Sequence, residues 1–202
     1  MRIEALFTPS EITEVAVKDK SVVVIDVLRA CTTIAFAMSR GCERLIPVAS
    51  VEAAMNLAAS LEKKTTLLGG EREGKRIDGF DLGNSPLEYT TDVVKGKAVV
   101  LATTNGTKAI SMSQGAKEIL AACFVNMASV VDHAAGLGED TLTVVCAGES
   151  SKFSMEDAVC AGMLIERLNE HKQVELNDGA HAARSLYRQN HRTYHCTHRW
   201  WR

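Results

Sequence analysis

The chain has no apolar run long enough to cross a membrane. Its apolar runs, such as residues 22–25 and Ala98–Ala102, fall far short of the roughly 20 residues a spanning helix needs. It has no C-x-x-C pair. Its six cysteines, at positions 31, 42, 123, 146, 160 and 196, sit mostly in apolar context, which excludes a disulfide framework or a zinc ribbon and predicts buried, reduced thiols. The opening MRIEALF lacks the architecture of a signal peptide, so the expected location is cytoplasmic. A basic face is missing as well. The net charge is −2, yet residues 188–202 hold four Arg and no acid. That segment therefore carries +4 and the rest −6, a sign that excludes nucleic acid as a partner.

What is present suits one soluble globular domain, or two small lobes, in 202 residues with 46% hydrophobic and 24% charged side chains. Apolar, β-branched runs at 21–28, 43–48, 65–68, 97–103, 117–123 and 141–147 predict strands. Segments of helical period at 30–40, 51–63, 86–94, 106–114, 126–137 and 155–170 fall between them. Helix starts are marked by Ser50, by Ser85 before Pro86, and by Ser154 with Asp157 three residues on. Such alternation predicts an α/β fold, a mainly parallel sheet covered by helices. The site is expected at the carboxyl ends of the strands, and between the lobes if there are two.

That rule selects four loops. The longest, GGEREGKRIDGFDLGNS at 69–85, holds five glycines, the acids Glu71, Glu73, Asp78 and Asp81, and the bases Arg72, Lys75 and Arg76. Glycines admit a ligand to the backbone, acids hold cations and arginines hold oxyanions. The loop predicts a divalent cation and an anionic substrate. Residues 69–75 also match G-x-x-x-x-G-K, the nucleotide-binding P-loop. Arg76 in place of the Mg²⁺-binding hydroxyl, the repelling Glu71 and Glu73, and the absence of a helix start after Arg76 argue against it.

Asp26 closes an apolar strand, where a carboxylate is costly unless paired or bound to metal. It either pairs with Arg29 or caps the following helix, or it ligates Mg²⁺ or attacks phosphorus. Leu28 stands where haloacid-dehalogenase-type phosphatases need a second Asp. Thr103, Thr104, Asn105, Gly106 and Thr107 join a strand to a helix, as caps or as an anion cradle. The junction 146–157 carries Glu149, Lys152, Glu156 and Asp157, whose last two acids suit the helix dipole or a metal equally. Cys196 and Arg202 have cysteine-phosphatase spacing, but no helix follows to activate the thiol.

The motifs DVLRACTT (26–33), GGEREGKRIDGFDLGNSP (69–86), TTNGT (103–107) and CAGESSKFSMEDAVCAG (146–162), in this order, resemble the 2-phosphosulfolactate phosphatase family over about residues 1–187. The resemblance implies a Mg²⁺-dependent α/β phosphatase acting on phosphate monoesters of 2-hydroxy acids, its named reaction being 2-phosphosulfolactate to 3-sulfolactate in coenzyme M biosynthesis. It implies a domain at 1–187, C-terminally shortened relative to the family. Residues 188–202 are then a basic tail outside the native fold, loosely packed, with Trp200 and Trp201 exposed. On this reading two or three of Asp26, Glu71, Asp81, Glu156 and Asp157 supply the metal ligands. Asp26, Arg29 and Arg72 act in catalysis, while residues 103–107 and Lys152 bind substrate. The partner is a small anionic phosphate ester, with no membrane or nucleic acid, and a homodimer fits. The alternatives are a nucleotide-binding protein built on 69–75 and a non-catalytic anion-binding relic.

Overall fold

The computed structural model describes residues 1–138, 140–150 and 152–196, with side chains as far as residue 190. Two sheets organise the chain. The first holds five parallel strands in the order β7-β2-β8-β1-β9: β1 (Arg2–Leu6), β2 (Ser21–Ile25), β7 (Glu118–Ala122), β8 (Thr141–Cys146) and β9 (Glu175–Leu176). The second has the order β3-β6-β4-β5, from β3 (Arg44–Val48), β4 (Thr66–Arg72), β5 (Lys75–Arg76) and β6 (Ala98–Ala102). Its β5 alone is antiparallel, hairpinned onto β4. The second sheet enters between β2 and β7, which gives the two lobes.

The central strands are legible from composition. SVVVI of β2 and AVVLA of β6 are buried at every position, as strands covered on both faces must be. Helices α2 (Ala30–Ser39), α3 (Val51–Ser60), α5 (Gly106–Met112), α6 (Met127–Gly136) and α7 (Met155–His171) cover the sheets. Ser50 caps α3 by accepting Ala53 N–H at 3.1 Å, and Ser154 caps α7 by accepting Asp157 N–H at 3.4 Å.

The segment 86–94 is not one helix. A 3-10 turn at Pro86–Glu88 and the short α4 (Thr91–Val94) flank Tyr89. Tyr89 is drawn inward to 1% exposure, and its hydroxyl donates to Gly83 O at 2.7 Å. Two further helices lie outside the expected set: α1 (Glu14–Val17) and α8 (Asp178–Cys196). Helix α8 packs on α7 through small residues. A Cβ on Gly162 of α7 would strike Ala183 O, and Ala180 and Ala183 are fully buried in the same core. The helix crosses residue 187, and Arg188 pairs with Glu166 at 3.0 Å. Trp200 and Trp201 lie outside the described residues. Among the described residues no helix is long and apolar enough to cross a membrane.

Candidate functional site

Register brings the strand ends together. Ile25 of β2 pairs with Cys146 of β8 and with Ala122 of β7, and Ala147 N–H donates to Ile25 O at 2.8 Å. Asp26 and the 147–149 segment therefore leave the first sheet at one level. In the second sheet Ala102 pairs with Gly70, so Glu71 and Thr103 emerge side by side.

Asp157, in the first turn of α7 and 2% exposed, fastens this edge. Its Oδ1 accepts Val27 N–H at 2.9 Å and its Oδ2 accepts Gly148 N–H at 3.0 Å, the amides that follow β2 and β8. Gly148 has φ +67°, and a Cβ there would strike Lys152 O, so glycine is required. Glu71, 8% exposed, does the same across the second sheet. It accepts Thr104 N–H at 2.7 Å and Gly74 N–H at 2.8 Å, tying the β4–β5 hairpin to the β6 loop.

Between these ends lies a cavity of about 330 Å³. Among the described residues five acids line it (Asp26, Glu71, Glu149, Glu156 and Asp157) against a single cation, Arg29. Asp26 is 5% exposed and has no ion pair among the described residues, so it does not pair with Arg29. Burial, then the charge of Asp157, pushes the Asp26 carboxyl up to about 8, with Glu71 and Glu156 adding to the rise and the Ala30 amide opposing it. Burial also raises Asp157 to about 7, although the amides of Val27 and Gly148 hold it down. Those two amide bonds oppose the rise at Asp157, so the Asp26 carboxyl is the one pushed further up. The buried thiols Cys31, Cys146 and Cys160 are raised well above the ordinary range, first by desolvation, so none is a thiolate nucleophile.

Of the residues singled out in the sequence, the cavity gathers Asp26, Arg29, Glu71, Thr103, Asn105, Glu156 and Asp157. Gly106 sits against the back of Asp26. The others lie elsewhere. Asp81 is exposed and its Oδ2 accepts Leu68 N–H at 2.8 Å, bracing β4. Arg72 is exposed at the end of β4, where its charge acts on Glu52 of α3. Lys152 is exposed, and its backbone exchanges hydrogen bonds of 2.9 and 3.0 Å with Glu149.

The 103–107 amides are largely spent on internal partners. Thr103 N–H donates to Thr107 Oγ1 at 2.9 Å, Thr107 N–H returns to Thr103 Oγ1 at 3.1 Å, and Thr104 N–H goes to Glu71. Residues 69–75 form the β4–β5 hairpin, not a strand-to-helix loop, so the P-loop geometry is not there. Two lining residues with polar side chains lie outside the site candidates: Glu149, and Asn84 at the end of the 69–85 loop. The signal available for both was only their place in the quoted motifs.

A cavity of five carboxylates and one guanidinium suits a hard cation together with an anion, since Mg²⁺ needs only one or two carboxylates beside substrate oxygens. Among the described residues no group of three or more His, Cys, Asp and Glu side chains is placed to hold a metal ion. Fold and cavity define an α/β protein with an acid-lined cavity at the carboxyl ends of its strands. A family model described as 2-phosphosulpholactate phosphatase matches residues 6–199. A "Probable 2-phosphosulfolactate phosphatase" of Clostridium novyi (strain NT) is 43% identical over 190 residues, which is 94% of this chain and 80% of that protein. Proteins of the same description from Clostridium acetobutylicum (41% over 191 residues; 94% and 80%) and Carboxydothermus hydrogenoformans (43% over 190; 94% and 77%) are similar to it. The chain belongs to the 2-phosphosulpholactate phosphatase family.

Proposed function

We propose that the chain is a phosphoric monoester hydrolase acting on phosphate esters of 2-hydroxy acids, foremost 2-phosphosulfolactate to 3-sulfolactate, with Mg²⁺ as cofactor. The observation that carries this reading is Asp26: a buried carboxyl at the end of a central strand, crowded by Asp157, Glu71 and Glu156, with no cation among the described residues paired to it. Family membership supports the phosphatase chemistry. The acid-rich lining supports a divalent cation that takes most of its ligands from water and substrate oxygens, and Asp26 and Glu156 are the side chains that would hold it. Once bound, it would neutralise phosphoryl oxygens that the acidic cavity otherwise repels.

The chain's own residues do the rest. Arg29, the one cation among the described residues that line the cavity, takes a phosphoryl oxygen pair in its planar fork. Asp157 holds the Val27 and Gly148 amides and so fixes the turn that carries Asp26. Glu71 holds the β6 loop against the hairpin and keeps the second lobe's wall in place. Water ends on phosphorus, either directly or after Asp26 has formed and lost an acyl phosphate, and the ester oxygen leaves with a proton. Asp81, Arg72 and Lys152 take no part.

The reading carries a cytoplasmic location and a small anionic ester as partner, without nucleic acid or membrane, in keeping with a body of charge −6. A homodimer fits it, as does service to coenzyme M biosynthesis or to another metabolism of 2-hydroxy-acid phosphates. The test is phosphate release from 2-phosphosulfolactate, with Mg²⁺ and with excess chelator. Release that chelator abolishes and Mg²⁺ or Mn²⁺ restores is expected. Full activity in chelator would remove the cation, and no release from any 2-hydroxy-acid phosphate would remove the phosphatase.

A further inference from the structure

Asn84 lies at the mouth of the second lobe and has a side chain the fold does not use. It is 6% exposed and lines the cavity, and its buried Oδ1 has no hydrogen-bond partner. No described residue accepts from its Nδ2. The backbone around it is firmly held. Thr33 Oγ1 donates to Asn84 O at 3.0 Å, Glu88 Oε2 accepts Gly83 N–H at 2.8 Å, and the Tyr89 hydroxyl donates to Gly83 O at 2.7 Å. Only the Oδ1 end is sealed off without a partner, which is costly on a fixed backbone, and the NH₂ is the end left to the cavity. Such groups call for an explanation outside the protein's own bonds.

The other buried side chains on this wall, Glu71 and Thr103, are committed, and Asn105, half-buried and open to water, is tied through its Oδ1. Glu71 accepts from Thr104 and Gly74, Thr103 Oγ1 accepts from Thr107, and Asn105 Oδ1 accepts Ser150 N–H at 3.2 Å. The acids Asp26, Glu156 and Asp157 stand on the first-sheet wall, with Arg29 just beyond Asp26. A phosphate gripped there turns the remainder of its ester toward the second lobe. In a 2-hydroxy-acid phosphate the group borne on that remainder is a carboxylate, an acceptor that needs a donor. In a cavity with one guanidinium the Asn84 amide is an uncharged donor still unspent.

Resting on the phosphatase reading above, we infer that Asn84 is a specificity-determining residue, whose side-chain NH₂ binds the carboxylate of the substrate while the first-sheet wall holds its phosphate. The neutral amide suits this place. A second cation there would pair with Glu71 or Glu149, whereas an amide donates without being drawn off.

The test compares 2-phospholactate with phenyl phosphate, which lacks the carboxylate, on wild type, Asn84→Asp and Asn84→Ala. Asp keeps the shape but offers no NH₂ and adds repulsion, and Ala guards against an effect of charge alone. For both variants the expected loss of kcat/KM on 2-phospholactate exceeds that on phenyl phosphate at least tenfold, carried mainly by KM. Equal losses on the two esters, or no loss on either, would overturn the assignment. A wild type that hydrolyses neither ester fails the phosphatase reading instead. Thermal shift with 2-phospholactate then judges Asn84 separately: stabilisation of wild type but not of Asn84→Asp supports it, and equal stabilisation overturns it.

Discussion

Gly106 leaves no space between itself and Asp26: a Cβ at position 106 would overlap Asp26 Oδ2 and the Cβ of Ala30. The first helical residue of α5 thus presses on the acid at the end of β2, and the two lobes meet where the chemistry is proposed to occur. Gly106→Ala should move the Asp26 carboxyl, because Ala30 is fully buried and cannot yield. Over-packing of this kind costs about 1–3 kcal/mol. The expected outcome is a folded protein, melting several degrees lower, with kcat down at least about tenfold, since small displacements of reacting groups are costly. Near-wild-type kinetics in a folded Gly106→Ala protein would show that the position of Asp26 does not matter.

The central strands and most helices were readable because they obey one period throughout. SVVVI and AVVLA have no polar residue to hide except Ser21, which finds Glu118 at 2.8 Å. Strand β1 escaped because it alternates. Glu4 interrupts RIEAL and points to Arg2 and Lys20, at 3.0 and 3.4 Å. Helix α8 escaped because it buries alanines, which pack closely without leaving an apolar stripe. At the site, the types of residue were legible but their division of labour was not. Asp157 carries the mark of a helix first turn, yet one of its partners, Val27, is 130 residues distant. Asp81 and Glu71 share one loop and look alike in sequence. Only the hairpin register turns Glu71 into the cavity and leaves Asp81 on the β4 edge.

Asp157 should tolerate no amide. Its two oxygens accept from two backbone N–H groups, and Asn would offer an NH₂ to one of them, donor against donor. Leaving a buried N–H unpaired costs about 1–3 kcal/mol. Asp157→Asn is expected to destabilise by that amount in chemical denaturation and to lower kcat through the Asp26 turn. Unchanged stability would mean that the Val27 and Gly148 amides find other partners.

Glu166 anchors α8. Its Oε2 is 2.6 Å from Arg184 Nε and its Oε1 is 3.0 Å from an Arg188 terminal nitrogen. Partial burial works upward on its carboxyl, but Arg188 and Arg184 together hold it below the ordinary value. A folded pKa below the unfolded one stabilises at pH above the ordinary glutamate range, and the benefit is lost as pH falls through the folded pKa. Exposure of the pair limits the contribution to roughly 1 kcal/mol. Glu166→Gln should therefore lower the melting temperature by a few degrees at pH 7 and scarcely at all below pH 4. An equal loss at both pH values would point to packing and not to charge.

Asp26 should behave in the opposite sense. Its folded pKa, like that of Asp157, lies above the unfolded one, so the folded state keeps protons that the unfolded chain releases. Stability of the metal-free protein is then greatest near the ordinary carboxylate range and falls as pH rises toward about 8. A slope of roughly 1 kcal/mol per pH unit corresponds to one retained proton. Asp26→Asn removes the charge and keeps the shape. At pH 8 without metal it should melt higher than wild type, while kcat falls more than about a thousandfold if Asp26 is ligand or nucleophile. Mg²⁺ should reverse the order by stabilising wild type and not the variant, because only a group that binds the folded state shifts its melting. Thermal melts of both proteins across pH 5–9, with and without Mg²⁺, decide the matter. An Asp26→Asn protein that melts lower than wild type at every pH, with or without Mg²⁺, would make Asp26 a structural cap of α2 and take the acid out of the site.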